Sequence, residues 1–151
     1  MKYKNIIYQF LAGLCLMIGI KQFFIFVDLD LIELIAAMGK ESFAYYADKT
    51  DKLGISSKIT QLVQAKAILG YIAIAINYFI LFTLAFKKRL NWNISLGVTI
   101  VLIVLHFFKI GELSPISFIQ MHLVAAYIVP AIIALTLAGF LYLLSFRTSS
   151  K

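Results

Sequence analysis

The residues that could do chemistry in this sequence are a few polar side chains embedded in long apolar runs. An ionisable or amide group inside a membrane-spanning segment is energetically costly, so each one needs a physical reason. Five of them fall near one end of four separate runs, and a sixth lies deeper in the second run. We interpret this set as candidate ligand-binding residues: Lys21, Gln64, Lys66, Asn77, His106 and His122.

The spacing of residues in the second run adds detail to this set. Lys66, Gly70, Ala73 and Asn77 follow at steps of three and four, so they share one face of a helix. Small residues between two polar ones leave a groove where another helix or a flat ligand can approach. The opposite half of each run is almost purely apolar, and Asn77 lies at mid-span.

The two histidines suggest possible ligands. If His106 and His122 face each other, their imidazoles could hydrogen-bond a quinone carbonyl. A b-type haem held by the same pair is the less favoured alternative, because it would rest on these two residues alone. A zinc site lacks a convincing third ligand, so we predict no metal centre.

Cys15 is the only cysteine, which excludes several chemistries for the chain acting alone. Thiol oxidation by a Cys-x-x-Cys pair, an iron–sulfur cluster and a thiolate zinc site all need more than one. The sequence also shows no nucleophile–base–acid set and no glycine loop for phosphate. The sequence therefore does not identify a reaction, and whether the protein is an enzyme stays open.

The elements that must position these residues follow from composition. Of 151 residues, 62% are apolar and 14% charged, whereas soluble domains have about half apolar and a quarter charged residues. The excess predicts a polytopic membrane protein, and the absence of period-two alternation predicts helices rather than a barrel. We expect an all-α fold, a bundle of four transmembrane helices in one domain. The predicted spans are about residues 6–27, 62–86, 92–110 and 118–146.

The connection between the first two spans, residues 28–61, has a pattern of its own. Apolar residues recur at helical spacing from Leu31 to Met38, and Gly39 could end a helix there. This stretch is too short to span a bilayer. We predict a short extracytoplasmic helix lying at the membrane interface.

Charge predicts the orientation. The side of the predicted bundle that holds both termini carries no acidic residue. Its basic residues are Lys2, Lys4, Lys87, Lys88, Arg89, Arg147 and Lys151. The other side carries equal numbers of acidic and basic residues, so the whole net charge of +7 lies on one face. The positive-inside rule makes that face cytoplasmic, with the long connection outside. Anionic lipid then accounts for the basic residues without a nucleic-acid partner.

In its order of features the chain resembles the DoxX-like family of small four-helix bacterial membrane proteins. The resemblance rests on Gly19-Ile20-Lys21, on the segment from Glu33 to Gly39, on Gln64 and Lys66, and on His106. It covers most of the chain as architecture, with short motifs. The resemblance implies a membrane subunit linked to quinone or sulfur redox chemistry, acting with partner subunits.

Together these observations predict an integral inner-membrane protein with an outer-leaflet polar pocket for a hydrophobic, quinone-type redox ligand. The alternative is a non-catalytic interaction or assembly subunit of a larger membrane complex, with other subunits or further copies of the chain as partners. The face of the second helix that carries Lys66 and Asn77 distinguishes them. A pocket requires this face to point into the bundle, and an interaction subunit would turn it outward.

Overall fold

A computed structural model describes residues 2–30, 55–86, 91–108 and 123–149 of the chain. Its four long helices are α1 (Lys2–Lys21), α2 (Ile55–Phe86), α3 (Trp92–Phe107) and α4 (Leu123–Ser149). A 3-10 helix, Gln22–Phe26, continues α1. The prediction of an all-helical fold is confirmed for the described residues.

The helix bounds differ from the predicted spans mainly in α2. This helix begins at Ile55 rather than near Leu62, so it includes a polar stretch that contains Ser57, Lys58 and Thr60. The predicted interfacial helix from Leu31 to Met38 lies outside the described residues, and the two residues before it, Leu29 and Asp30, are helical.

Local sequence explains two features of the helices. Asn91 caps α3 by accepting a hydrogen bond on its side-chain oxygen from the backbone N–H of Asn93, at 3.0 Å. Pro130 lies inside α4, and the helix continues through it. A proline lacks the N–H that would bond one turn back, which membrane helices tolerate better than soluble ones.

The helix α1 lies at the centre of the packing. It contacts α2, α3 and most extensively α4, and α2 also packs along α3. The main apolar core is formed where α1, α2 and α3 meet, around Met17, Ala73 and Leu102. A smaller cluster of Ile25 and Leu62 lies between the 3-10 helix and the start of α2.

Two glycines on α1 allow this close packing. A Cβ at Gly19 would lie 2.8 Å from the Leu135 side chain and 3.2 Å from the Ala131 carbonyl oxygen of α4. A Cβ at Gly13 would lie 2.5 Å from Leu102 and 2.9 Å from the side-chain oxygen of Asn77. Small residues of this kind are typical of helix contacts within membranes, where backbones approach closely.

The outer faces of the helices are apolar. Only 17% of the most apolar stretch of α4 is buried, and large residues such as Ile133, Phe140 and Leu143 are exposed there. Three helical segments of the described chain are long and apolar enough to cross a membrane: Lys4–Phe26, Ser57–Phe86 and Ala125–Arg147. The fourth, α3, is apolar but shorter, with 16 residues.

The contact between α1 and α4 yields a test with a matched control. Gly19→Leu should lower the free energy of unfolding by about 1–3 kcal/mol, because an inserted side chain must displace Leu135 or the α4 backbone. Gly139→Leu should be neutral or slightly stabilising, since nothing lies within 4 Å of its Cβ position and leucine favours helix more than glycine does.

Unfolding followed by circular dichroism in mixed detergent micelles measures both variants. Equal losses of stability would show that Gly19 does not mark a close helix contact.

Candidate functional site

Lys21, Gly70 and His106 meet at the end of α1, midway along α2 and near the end of α3. A Cβ at Gly70 would lie 2.2 Å from Cε1 and 2.7 Å from Nδ1 of His106, and 2.7 Å from Cε of Lys21. Both ionisable side chains therefore occupy the space that a side chain at position 70 would fill. Lys21 is 2% exposed and His106 is 6% exposed. We refer to these three residues as the Lys21–His106 site.

The backbone of α2 fixes the imidazole of His106. Its Nε2 lies 3.1 Å from the carbonyl oxygen of Ala67. A carbonyl oxygen can only accept, so Nε2 carries the hydrogen, and in the neutral ring Nδ1 is then an acceptor. The ring of Tyr71 packs edge-to-face against His106, with centroids 4.6 Å apart. Nδ1 lies on the side of Gly70 and Lys21.

Lys21 occupies the last turn of α1. The 3-10 segment Gln22–Phe26 begins at the next residue, and Gln22 is also buried. The lysine side chain is thus held inside the bundle and does not extend along the surface, as a snorkelling lysine would.

Lys66 lies one helical turn before Gly70 and is half-buried. Its ammonium is 5.5 Å from the centroid of the Phe24 ring, a cation–π distance. Phe24 in turn packs edge-to-face on Tyr127 of α4, with centroids 5.6 Å apart. Lys66 therefore joins α2 to the 3-10 helix and is a neighbour of the Lys21–His106 site.

Asn77 lies two turns after Gly70 on the same face of α2 and is completely buried. Its side-chain oxygen accepts a hydrogen bond from the hydroxyl of Tyr142 in α4 and adjoins Gly13 in α1. Its Nδ2 has no hydrogen-bond partner among the described residues. Asn77 thus links three helices below the site rather than within it.

Of the remaining predicted residues, the structure describes Gln64, which does not join this cluster. Gln64 is exposed on α2. His122 lies outside the described residues, so the pairing of two histidines around a haem or a quinone stays a prediction. The face of α2 carrying Gly70, Ala73 and Asn77 points into the bundle.

Sequence reasoning missed a second set of buried polar contacts at the opposite end of the bundle. That end was expected to be almost purely apolar, and this expectation was wrong. The hydroxyl of Ser95 donates to the side-chain oxygen of Gln9 at 3.3 Å, and the hydroxyl of Ser145 donates to that of Asn5 at 2.6 Å. The signal was present in the spacing, because Asn5, Gln9 and Gly13 follow one another along α1 at steps of four.

The donor sets in the described chain match no metal centre. No group of three or more histidine, cysteine or carboxylate side chains comes together there. Cys15 is half-buried and is the only cysteine of the chain. The Lys21–His106 site has the chemistry to hydrogen-bond a polar group. The ammonium of Lys21 is a donor, and Nδ1 of His106 is an acceptor.

No protein-family model, curated protein or solved structure matches the chain. The DoxX-like resemblance therefore stays a prediction, and function has to be argued from the site itself.

Gly70→Ala should disrupt the site specifically. The added methyl group would lie 2.2 Å from His106 Cε1, so the ring must move and its bond to Ala67 must lengthen or break. We expect stability to fall by about 1–3 kcal/mol. The imidazole Nε2–H resonance of His106 in nitrogen-15 NMR should also shift.

Gly97→Ala is the control, because no atom lies within 4 Å of its Cβ position. An unchanged His106 resonance in Gly70→Ala would contradict the described packing.

Proposed function

We propose that this chain is a small multi-pass protein of the bacterial inner membrane that binds the polar head of a hydrophobic, quinone-type redox ligand. The binding site is the Lys21–His106 site, in the outer leaflet, with both termini cytoplasmic. The observation that carries the proposal is the burial of two ionisable side chains from different helices against one glycine. Buried ionisable groups inside membrane proteins most often serve function.

The chemistry of the two groups suits a quinone head. The ammonium of Lys21 can donate to a carbonyl oxygen, and Nδ1 of His106 can accept from the hydroxyl of the reduced form. The bond from Nε2 to Ala67 fixes which nitrogen does this. A pair with one donor and one acceptor can therefore bind both redox states of the same ligand.

The membrane assignment draws on the three long apolar helical segments and the largely exposed apolar faces. The orientation draws on charge, since the side that holds both termini has basic residues and no acidic ones. In this orientation the end of α1 and the start of α2 lie on the extracytoplasmic side. The Lys21–His106 site is then in the outer leaflet.

The alternative, a non-catalytic interaction or assembly subunit, draws less support from the packing. It needs the polar and small face of α2 to meet another protein, and Gly70, Ala73 and Asn77 on that face are buried within the chain. Partner subunits or further copies of the chain could still bind elsewhere, as the DoxX-like resemblance implies.

The topology is tested with single cysteines in a Cys15→Ala background, which removes the one native thiol. Asp48→Cys should react with a membrane-impermeant maleimide on intact cells. Lys88→Cys should react only after permeabilisation, because the positive-inside rule places it in the cytoplasm. The reverse pattern would invert the topology and place the Lys21–His106 site in the inner leaflet.

Ligand binding is tested on protein in lipid nanodiscs, titrated with ubiquinone and menaquinone analogues that carry a single isoprene unit. Lys21→Met should weaken binding of the quinones about tenfold or more, because a hydrogen bond to a charged group contributes about 1.5–3 kcal/mol. His106→Phe should weaken binding of the reduced quinols, since only their hydroxyl groups can donate to Nδ1. Lys58→Met is the control, since Lys58 is 55% exposed and pairs with Asp28.

Lys66→Met belongs to the same titration. Weaker binding would place Lys66 in the site, and unchanged binding would limit its role to the contact with Phe24. Failure of both quinones to bind, or equal affinity in all variants, would contradict the proposed function.

A further inference from the structure

An open groove follows the surface between α2 and α3, beside the Lys21–His106 site. Its volume is about 460 Å³, within the range of small-molecule sites. One wall is formed by Tyr71, Ile74 and Tyr78 of α2, and the other by Leu96, Ile100 and Ile103 of α3. Five of these six side chains are at least 39% exposed, so the groove opens sideways to the surroundings of the bundle.

The groove adjoins the site at Tyr71. This tyrosine lines the groove and packs edge-to-face on His106. From Tyr71 the groove extends two turns along α2 to Tyr78, a distance of about 10 Å. It therefore begins at the residue that packs against the imidazole of His106 and leads away from it along the helix axis.

The lining of the groove is almost entirely apolar. Thr99 also borders it, but its hydroxyl donates to the carbonyl oxygen of Ser95 at 3.0 Å. The apolar lining of the groove thus suits a hydrocarbon chain. At its far end, Tyr78 packs edge-to-face on Trp92, with centroids 5.8 Å apart.

We propose that the ligand is an amphiphile whose hydrocarbon tail lies along this groove while its head binds at Lys21 and His106. The inference rests on the proposed function and names the ligand class: a quinone with a long side chain rather than a small soluble quinone. A polar anchor at one end of an apolar groove that is open to lipid allows the tail to enter sideways. The tail never has to leave an apolar environment.

Photocrosslinking locates the tail directly, and unlike affinity it is insensitive to how strongly a long tail partitions into lipid. The probe is a benzoquinone with a decyl tail that ends in a diazirine, added to the full chain in nanodiscs. In the wild-type protein, saturable adducts should map by mass spectrometry to the groove faces of α2 and α3. An excess of the same quinone without the diazirine should displace them.

Ala75→Phe is the blocking variant, because Ala75 lines the groove and is exposed. We expect about a tenfold loss of groove adducts, because the phenylalanine ring would occupy the part of the groove that the tail needs. Binding of the single-isoprene quinone should be unchanged. Ile76→Phe is the control, because Ile76 is 40% exposed on the same helix but does not line the groove. If Ala75→Phe folds poorly, Ile100→Trp provides a second block from α3.

The other possible results show whether the groove, the head site or both are wrong. Adducts that saturate at another surface, or persist in Ala75→Phe, would overturn the groove while leaving the head site intact. Saturable labelling of the groove by a diazirine phospholipid that the quinone does not displace would assign it to an acyl chain. Loss of all binding, including that of the single-isoprene quinone, would overturn the proposed function together with this inference.

Discussion

The packing of this chain depends on how closely the other helices approach α1. Lipid is as apolar as leucine, so burial of side chains does little to hold helices together in a membrane, and close backbone packing and hydrogen bonds must do it. Gly13 and Gly19 provide the close approach, and Asn5 and Gln9 provide hydrogen bonds to α4 and α3. One helix thus holds three others with few, specific contacts.

The same constraint creates the candidate site. At Gly70 the missing side chain of α2 is replaced by parts of two other residues, Lys21 from α1 and His106 from α3. The ring of His106 can then reach the carbonyl oxygen of Ala67, so a backbone group of one helix orients the side chain of another. The packing of the helices and the geometry of the site therefore depend on the same residue. Gly70 lets the helices meet, and it also leaves the space in which Nδ1 of His106 lies.

Hydropathy was enough to predict four helical segments, and helical spacing was enough to place Gly70 and Asn77 on one face. The common position of Lys21 and His106 near the ends of their runs also came from sequence. The start of α2 at Ile55 did not, because hydropathy marks apolar length and polar residues can extend the same helix. The pairing of Gln9 with Ser95 could not be predicted either, since it depends on the rotation of α1 against α3.

In the proposed membrane setting, the unequal lengths of α2 and α3 have a consequence for the lipid around them. A helix of 32 residues extends about 48 Å and one of 16 about 24 Å. A bilayer core of about 30 Å lies between these values. Because the two helices pack together, they cannot tilt independently to correct the mismatch. The bilayer would thin beside α3, at a modest free-energy cost for each ångström. A thinner membrane would relieve this deformation, so hydrophobic thickness could influence where the protein accumulates.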